Sequence, residues 1–263
     1  MAAYQVSSEM QTPSQLTQRE PLLRAGLQGG LWVPGDGIVY APEVARWFIA
    51  DAGDNLTCLT EGAMEIAEPA VTLTCGKQLR APAIVVACGL GANGLLGENW
   101  LRAKKGQLAI SDRYGPLLHH QLVELGYGAS AHGGGTSVAF NVQPRPTGQL
   151  LIGSSRQFDN SERQLDLPLL AQMLDRARHF LPALGGLNII RCWSGFRAAS
   201  EDGNPLIGPH PSRPGLWLAL GHEGLGVTTA PASAELLVAQ LLGERCPLAP
   251  DAWLPARLLK KEA

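Results

Sequence analysis

Leu216-Trp217-Leu218-Ala219-Leu220-Gly221-His222-Glu223-Gly224-Leu225-Gly226-Val227-Thr228-Thr229-Ala230-Pro231 reads as a buried strand, a glycine-rich bend and the start of a helix. Three glycines let the backbone approach a flat ligand closely, and the free N–H groups of a helix N-terminus favour anionic or electron-rich atoms. A tight strand-to-helix connection would use the same residues, so the glycines alone leave both readings open. The helix is expected from about Thr229 to Leu242, with Pro231 near its start and Gly243 placed to end it.

A second strand of the same kind is Ala83-Ile84-Val85-Val86-Ala87. Its continuous small and branched apolar residues suit a strand buried on both faces, as in parallel sheets covered by helices. Around it the pattern predicts strands at Leu56 to Leu59, Ala63 to Ala67 and Val71 to Cys75. Toward the N-terminus, Leu31-Trp32-Val33 stops at Pro34-Gly35-Asp36-Gly37, which reads as strand, turn, strand. Ala41-Pro42-Glu43 then opens a short helix ending near Gly53.

A β-rich region follows, with strands expected at Gln107 to Ile110, Gln121 to Leu125, Ser137 to Val142 and Leu150 to Gly153. Leu169, Leu170, Met173, Leu174, Ala177, Phe180 and Leu181 recur at helical spacing opposite Asp175, Arg176 and Arg178, which predicts an amphipathic helix on a sheet. Leu187 to Phe196 is a further strand, and Ser200 to Gly215 is read as turns.

Composition narrows the function classes. The 263 residues are 45% hydrophobic and 17% charged, the profile of a packed globular chain. A net charge of −2 and no Lys/Arg-rich block argue against a nucleic-acid surface and toward a small-molecule ligand. Cys58, Cys75, Cys88, Cys192 and Cys246 are scattered and never spaced as CxxC, so neither a disulfide framework nor a metal site is expected, and reduced thiols fit a cytoplasmic protein. Residues 1–20 do not read as a secretory signal, and no run approaches the roughly 20 apolar residues of a membrane span.

Three more segments, in register with the glycine bend, carry a resemblance. Trp193-Ser194-Gly195-Phe196-Arg197-Ala198-Ala199-Ser200-Glu201-Asp202-Gly203-Asn204-Pro205-Leu206-Ile207-Gly208-Pro209 is similar to the W-x-G-x-R-P-x-T-x-D-G-x-P-x-I-G stretch of the D-amino-acid oxidase family. Ile84-Val85-Val86-Ala87-Cys88-Gly89 resembles that family's strand ending in A-x-G beside the cofactor, and Lys105-Gly106-Gln107 its R-G-Q turn. The likeness runs from about Leu22 to the final helix. Within the family, Gln143 to Arg156 joined to the glycine bend most resembles the flavin subunits of bacterial hydroxyproline dehydrogenase and hydrogen cyanide synthase.

The resemblance implies an FAD-dependent oxidoreductase that moves a hydride from an amine α-carbon to the flavin, with no protein nucleophile. It implies an α/β fold: an α+β substrate domain with a mixed sheet at 101–186, and an incomplete FAD-binding parallel sheet from 1–54, 78–100 and 187–263. Cofactor contacts are expected from Ala87, Cys88 and Gly89 and from Gly221, His222, Glu223, Gly224, Leu225 and Gly226. Arg197 is expected to grip the substrate carboxylate, the alternative being an ion pair with Glu201 or Asp202. His222 is read as a flavin and substrate contact and not as a base, Trp193 as a core aromatic, and Asn141 as a substrate contact where relatives carry a tyrosine.

One departure qualifies these expectations. Family members begin with a strand and a G-x-G-x-x-G turn for the FAD pyrophosphate, and no such N-terminal unit is read here. Gly89-x-Gly91-x-x-Gly94 lacks an acid some 20 residues on and is taken as the A-x-G loop. The chain is therefore expected to be an enzyme by family that is truncated, a subunit pairing with a chain that supplies the nucleotide-binding half, or a protein whose start lies upstream.

Overall fold

Leu216–Leu220 alternates fully buried with half-buried residues, and its position between two neighbours explains why. In the computed structural model, which describes residues 6–127, 135–158, 160 and 162–259, the strands in chain order are Glu9–Gln11 (β1), Gly30–Trp32 (β2), Ala63–Ala67 (β3), Ala70–Leu73 (β4), Gln78–Arg80 (β5), Ile84–Val86 (β6) and Arg102–Ser111 (β7). Leu122–Val123 (β8), Ser137–Pro144 (β9), Leu150–Phe158 (β10), Ile189–Ala199 (β11), Leu206–Pro209 (β12) and Leu216–Leu220 (β13) follow. Two compact units form, one from Met1–Tyr40 with Lys105–Gly195 and one from Ala41–Lys104 with Phe196–Ala263, and the division falls inside β7 and β11.

The second unit holds the two apolar strands singled out above. They pair in parallel, Leu216 against Ile84 and Leu218 against Val86, in the order β12-β13-β6. Val86, Leu206, Leu216, Leu218 and Leu220 are buried together with Ala92, Leu96 and Trp100. A separate antiparallel sheet, β3-β4-β5, belongs to the same unit. The Gly226–Leu242 helix starts directly after the glycine bend and ends on Gly243, whose φ of 69° is the left-handed value that glycine tolerates. Pro231 lies within this helix, because it begins three residues earlier than the pattern predicts.

The first unit is built on the sheet β11-β7-β10-β9-β8. Asp166 caps the Leu167–Phe180 helix by accepting the Leu169 N–H at 3.0 Å, with Pro168 in the first turn. Leu169, Leu170, Met173 and Ala177 form its buried stripe, and the last three pack with Phe140, Val142, Leu150 and Ile152 in one core. Met173 is fully buried, so truncating it to alanine would cost about 2–5 kcal/mol. Residues 6–40 are tied to this unit through Glu20, whose Oε1 accepts the N–H groups of His119 and His120 at 2.9 and 2.7 Å. Compactness thus groups 1–40 with 105–195, whereas the motifs grouped 1–54 with the cofactor segments.

Several local expectations are corrected. No strand follows Gly37, and Leu56 to Leu59 is exposed and irregular. Lys105-Gly106-Gln107 is no turn but the middle of β7, where buried Lys105 and Gln107 tie the strand to Gln164 and Asp166. The loop read at Gly89 to Gly94 winds into a short Gly91–Leu96 helix, held by its buried Ala92 and Leu96. The stretch Ser200 to Gly215 contains β12, and Trp193 is half-buried with the Arg191 guanidinium 5.6 Å from its ring. Among the described residues no helix is long and apolar enough to cross a membrane.

Candidate active site

Parallel strands offer ligands the crevice beyond their C-terminal ends. In the second unit, β6 is followed by Ala87, Cys88 and Gly89, and its partner β13 by Gly221. Gly89 has φ 57° and Gly221 has φ 78°, and a methyl added to Gly221 would meet Ser200 Cβ at 3.2 Å and Leu101 at 3.4 Å. Both bends require glycine, the second also for want of room. Ala87 and Cys88 are exposed, and Gly89 is half-buried.

The end of β11 joins the same cluster. Ala199 bridges to His222, and the Glu223 N–H donates to Ala198 O at 3.0 Å. This pairing brings Arg197 to the glycine bend: a methyl on Gly224 would stand 3.6 Å from Cδ of Arg197. Of the two alternative partners, Glu201 and Asp202, the second is engaged by Arg257, which grips both its oxygens at 2.7 and 2.9 Å. That contact, above all, holds the Asp202 carboxyl well below the usual carboxylate range.

His222 is half-buried, and its Nε2 lies 2.9 Å from Ser233 Oγ in the following helix. Burial pushes its pKa down, which favours the neutral imidazole. A neutral ring hydrogen-bonded to a hydroxyl suits packing against a ligand better than proton abstraction. Leu225 and Gly224 are exposed, and Gly226 opens the helix, where no side chain caps the first turn.

Glu223 is the residue that the sequence did not explain. It has φ 49°, uncommon for a residue with a side chain, and its Oε1 lies 3.0 Å from Nζ of Lys104. The Lys104 side chain is 4% exposed. Their separation along the chain hid this pair; the only signal was a charged residue inside an otherwise buried strand.

Asn141 belongs to the first unit. It lies on β9 opposite Gly153, and its Oδ1 accepts from Gln121 Nε2 at 3.3 Å. Val142 and Phe140, its neighbours in sequence, face the Leu167–Phe180 helix, so Asn141 is on the other sheet face. A residue sequence reasoning missed, Arg156, shares that face by register: it stands opposite Ser137, two pairs of residues from Asn141.

The Gly89 and Gly221 bends, with exposed Ala87, Cys88, Gly224 and Leu225 about them, form a surface that carries few side chains and that a flat ring can approach. These residues fit the ring end of a flavin.

Residues 1–240 match the family model described as FAD dependent oxidoreductase, abbreviated DAO. The chain is 31% identical over 244 residues to a glycine oxidase of Geobacillus kaustophilus, covering 88% of this chain and 60% of that protein. It is 28% identical over 144 residues to hydrogen cyanide synthase subunit HcnC of Pseudomonas protegens, covering 55% of this chain and 31% of that one. The crystal structure of glycine oxidase from Geobacillus kaustophilus superposes with a TM-score of 0.82 at 24% identity, over 96% of this chain and 68% of the other, a likeness of fold. The chain thus spans about 60% of the curated glycine oxidase's length.

Proposed function

The chain belongs to the DAO family of FAD-dependent oxidoreductases, and on that premise we propose that it serves the oxidation of a small amino acid or secondary amine. When bound, FAD would supply the hydride acceptor. The observation that carries this reading is the convergence of the Gly89 and Gly221 bends with Arg197 in the second unit.

Each residue has a physical task. The backbone of Ala87 to Gly89 and of Gly221 to Gly226 contacts the ring edge, the glycine bends letting the chain approach it closely. Arg197 holds the substrate carboxylate through a charge-assisted contact and so orients the α-carbon. Neutral His222, tied to Ser233, packs as a contact without moving a proton. Its lack of charge, together with the cation at Arg197, favours a neutral amine, the form from which a hydride can leave. Asn141 is a substrate contact on the strength of the family resemblance. The five cysteines are free thiols, in keeping with a cytoplasmic location.

The test is oxidation of a panel of amino acids and secondary amines by the FAD-supplemented chain, followed by dye reduction. Arg197→Ala should lower kcat/KM by roughly 2–5 kcal/mol in activation terms. An unchanged kcat/KM would refute the carboxylate role.

A second reading, a subunit completed by another chain, is favoured by one observation. The Ala41–Ala52 helix buries no residue, and Trp47, Phe48 and Ile49 are each at least half exposed. Val85 on edge strand β6 is 44% exposed. These apolar surfaces suit a strand-turn-helix segment that adds to the parallel sheet and brings its own phosphate-binding turn. FAD retention that rises sharply on mixing with such a polypeptide would support this; retention unchanged by it would oppose it.

A further inference from the structure

Arg156 is a buried cation with no counter-charge among the described residues. It is 3% exposed, and its Nε and Nη1 have no hydrogen-bond partner. Among the described residues it forms no ion pair. Burying an unpaired ion is costly. The Tyr127 ring, 4.5 Å from the guanidinium carbon, offsets part of that cost by attraction to its π face. A ring covers the face of a guanidinium and leaves its in-plane N–H donors unmatched.

The position of Arg156 separates it from the structural polar groups nearby. Ser155 and Gln157, its neighbours on β10, turn to the other side: Ser155 Oγ accepts the Gln107 N–H at 2.9 Å, and Gln157 donates to Asp166 at 2.7 Å. Ser154 and Arg156 share one side, and both engage Tyr127, whose hydroxyl accepts from Ser154 Oγ at 3.3 Å. By register this is the sheet face that carries Asn141.

We propose that Arg156, backed by Tyr127, is a carboxylate-binding subsite that selects amines bearing an extra acidic group, such as imino- or aminodicarboxylates. A carboxylate supplies the missing charge and accepts from in-plane N–H donors; water can accept from them but brings no charge. The inference rests on the amine-oxidation reading for its substrate class, but the subsite itself does not depend on turnover.

The probes are iminodiacetate, a secondary amine with two carboxylates, and N-methylglycine, with one. Their equilibrium binding to the full chain is measured by calorimetry in the presence of FAD. Iminodiacetate should bind at least about tenfold more tightly. Arg156→Met should abolish that preference, and Arg156→Lys, which keeps the charge and guards against a folding defect, should retain part of it. A preference of the same size in Arg156→Met, or no preference in the unaltered chain, overturns the subsite. Failure to oxidise any amine while the Arg156-dependent preference persists would instead count against the proposed reaction.

Discussion

Lys104 Nζ and Glu223 Oε1 lie 3.0 Å apart, their side chains 4% and 17% exposed, and Glu223 holds a backbone conformation that favours glycine. The glutamate is therefore kept at a strained position by the lysine it neutralises. Glu223→Gly relieves the backbone but takes a carboxylate away from a buried ammonium, and it is expected to destabilise the protein by about 1–3 kcal/mol. Lys104→Met combined with Glu223→Gly should recover most of that loss. Urea unfolding of the single and double variants measures the coupling; additive losses would mean that the pair does not act as a unit.

His222 gives a pH signature. Its folded pKa lies below the ordinary value because burial disfavours the charged ring. The unfolded state therefore binds the proton more readily, and stability is complete above about pH 6.5. It falls as pH drops from there through the lower folded pKa. His222→Gln should flatten this part of the Tm profile. A wild-type Tm that does not change between pH 7 and 5.5 would contradict the assignment.

Asp202 behaves in the opposite range. Arg257 depresses its pKa, so the pair's stabilisation is present above the unfolded value of about 3.9 and is lost as pH falls toward the folded one. Arg257→Ala should destabilise the protein by about 1–3 kcal/mol at pH 7. By calorimetry at pH 7 and pH 3, the gap between wild type and variant should narrow at the lower pH.

Glu20 is 2% exposed, and its Oε1 serves two backbone donors. Glu20→Ala should cost about 2–4 kcal/mol, because both N–H groups then lose their acceptor inside the protein. Hydrogen exchange should show the His119 and His120 amides as the first to lose protection.

A strand covered on both faces is legible, because burial on two sides writes a continuous apolar run, and β13 is the case; β6 carries the same run but is an edge strand with Val85 44% exposed, so the expected burial of both its faces does not hold. Residues Gln78 to Arg80 are all exposed and form β5 only through pairing with β4, which no local pattern reveals. Conversely, Leu56 to Leu59 has the apolar residues of a strand and no partner strand. β12 was hidden between prolines, although Leu206 and Ile207 are buried. At the candidate site, the two bends were legible because glycine is the residue their positive φ requires. Lys104 and Arg156 were not, since what distinguishes them is burial, a property of distant segments.

The parallel pairing of Ile84 with Leu216 joins residues more than a hundred positions apart. Closing a flexible loop of that length costs about 4 kcal/mol in chain entropy before any contact forms. The intervening segment contains the β9–β10 hairpin, which forms from near neighbours. Assembly order follows from this arithmetic: the inserted segment should collapse first and shorten the effective loop, and the β6–β13 contact should form late. Refolding should accordingly be slow for a chain of this size, with hairpin amides protected before those of Leu216 and Leu218.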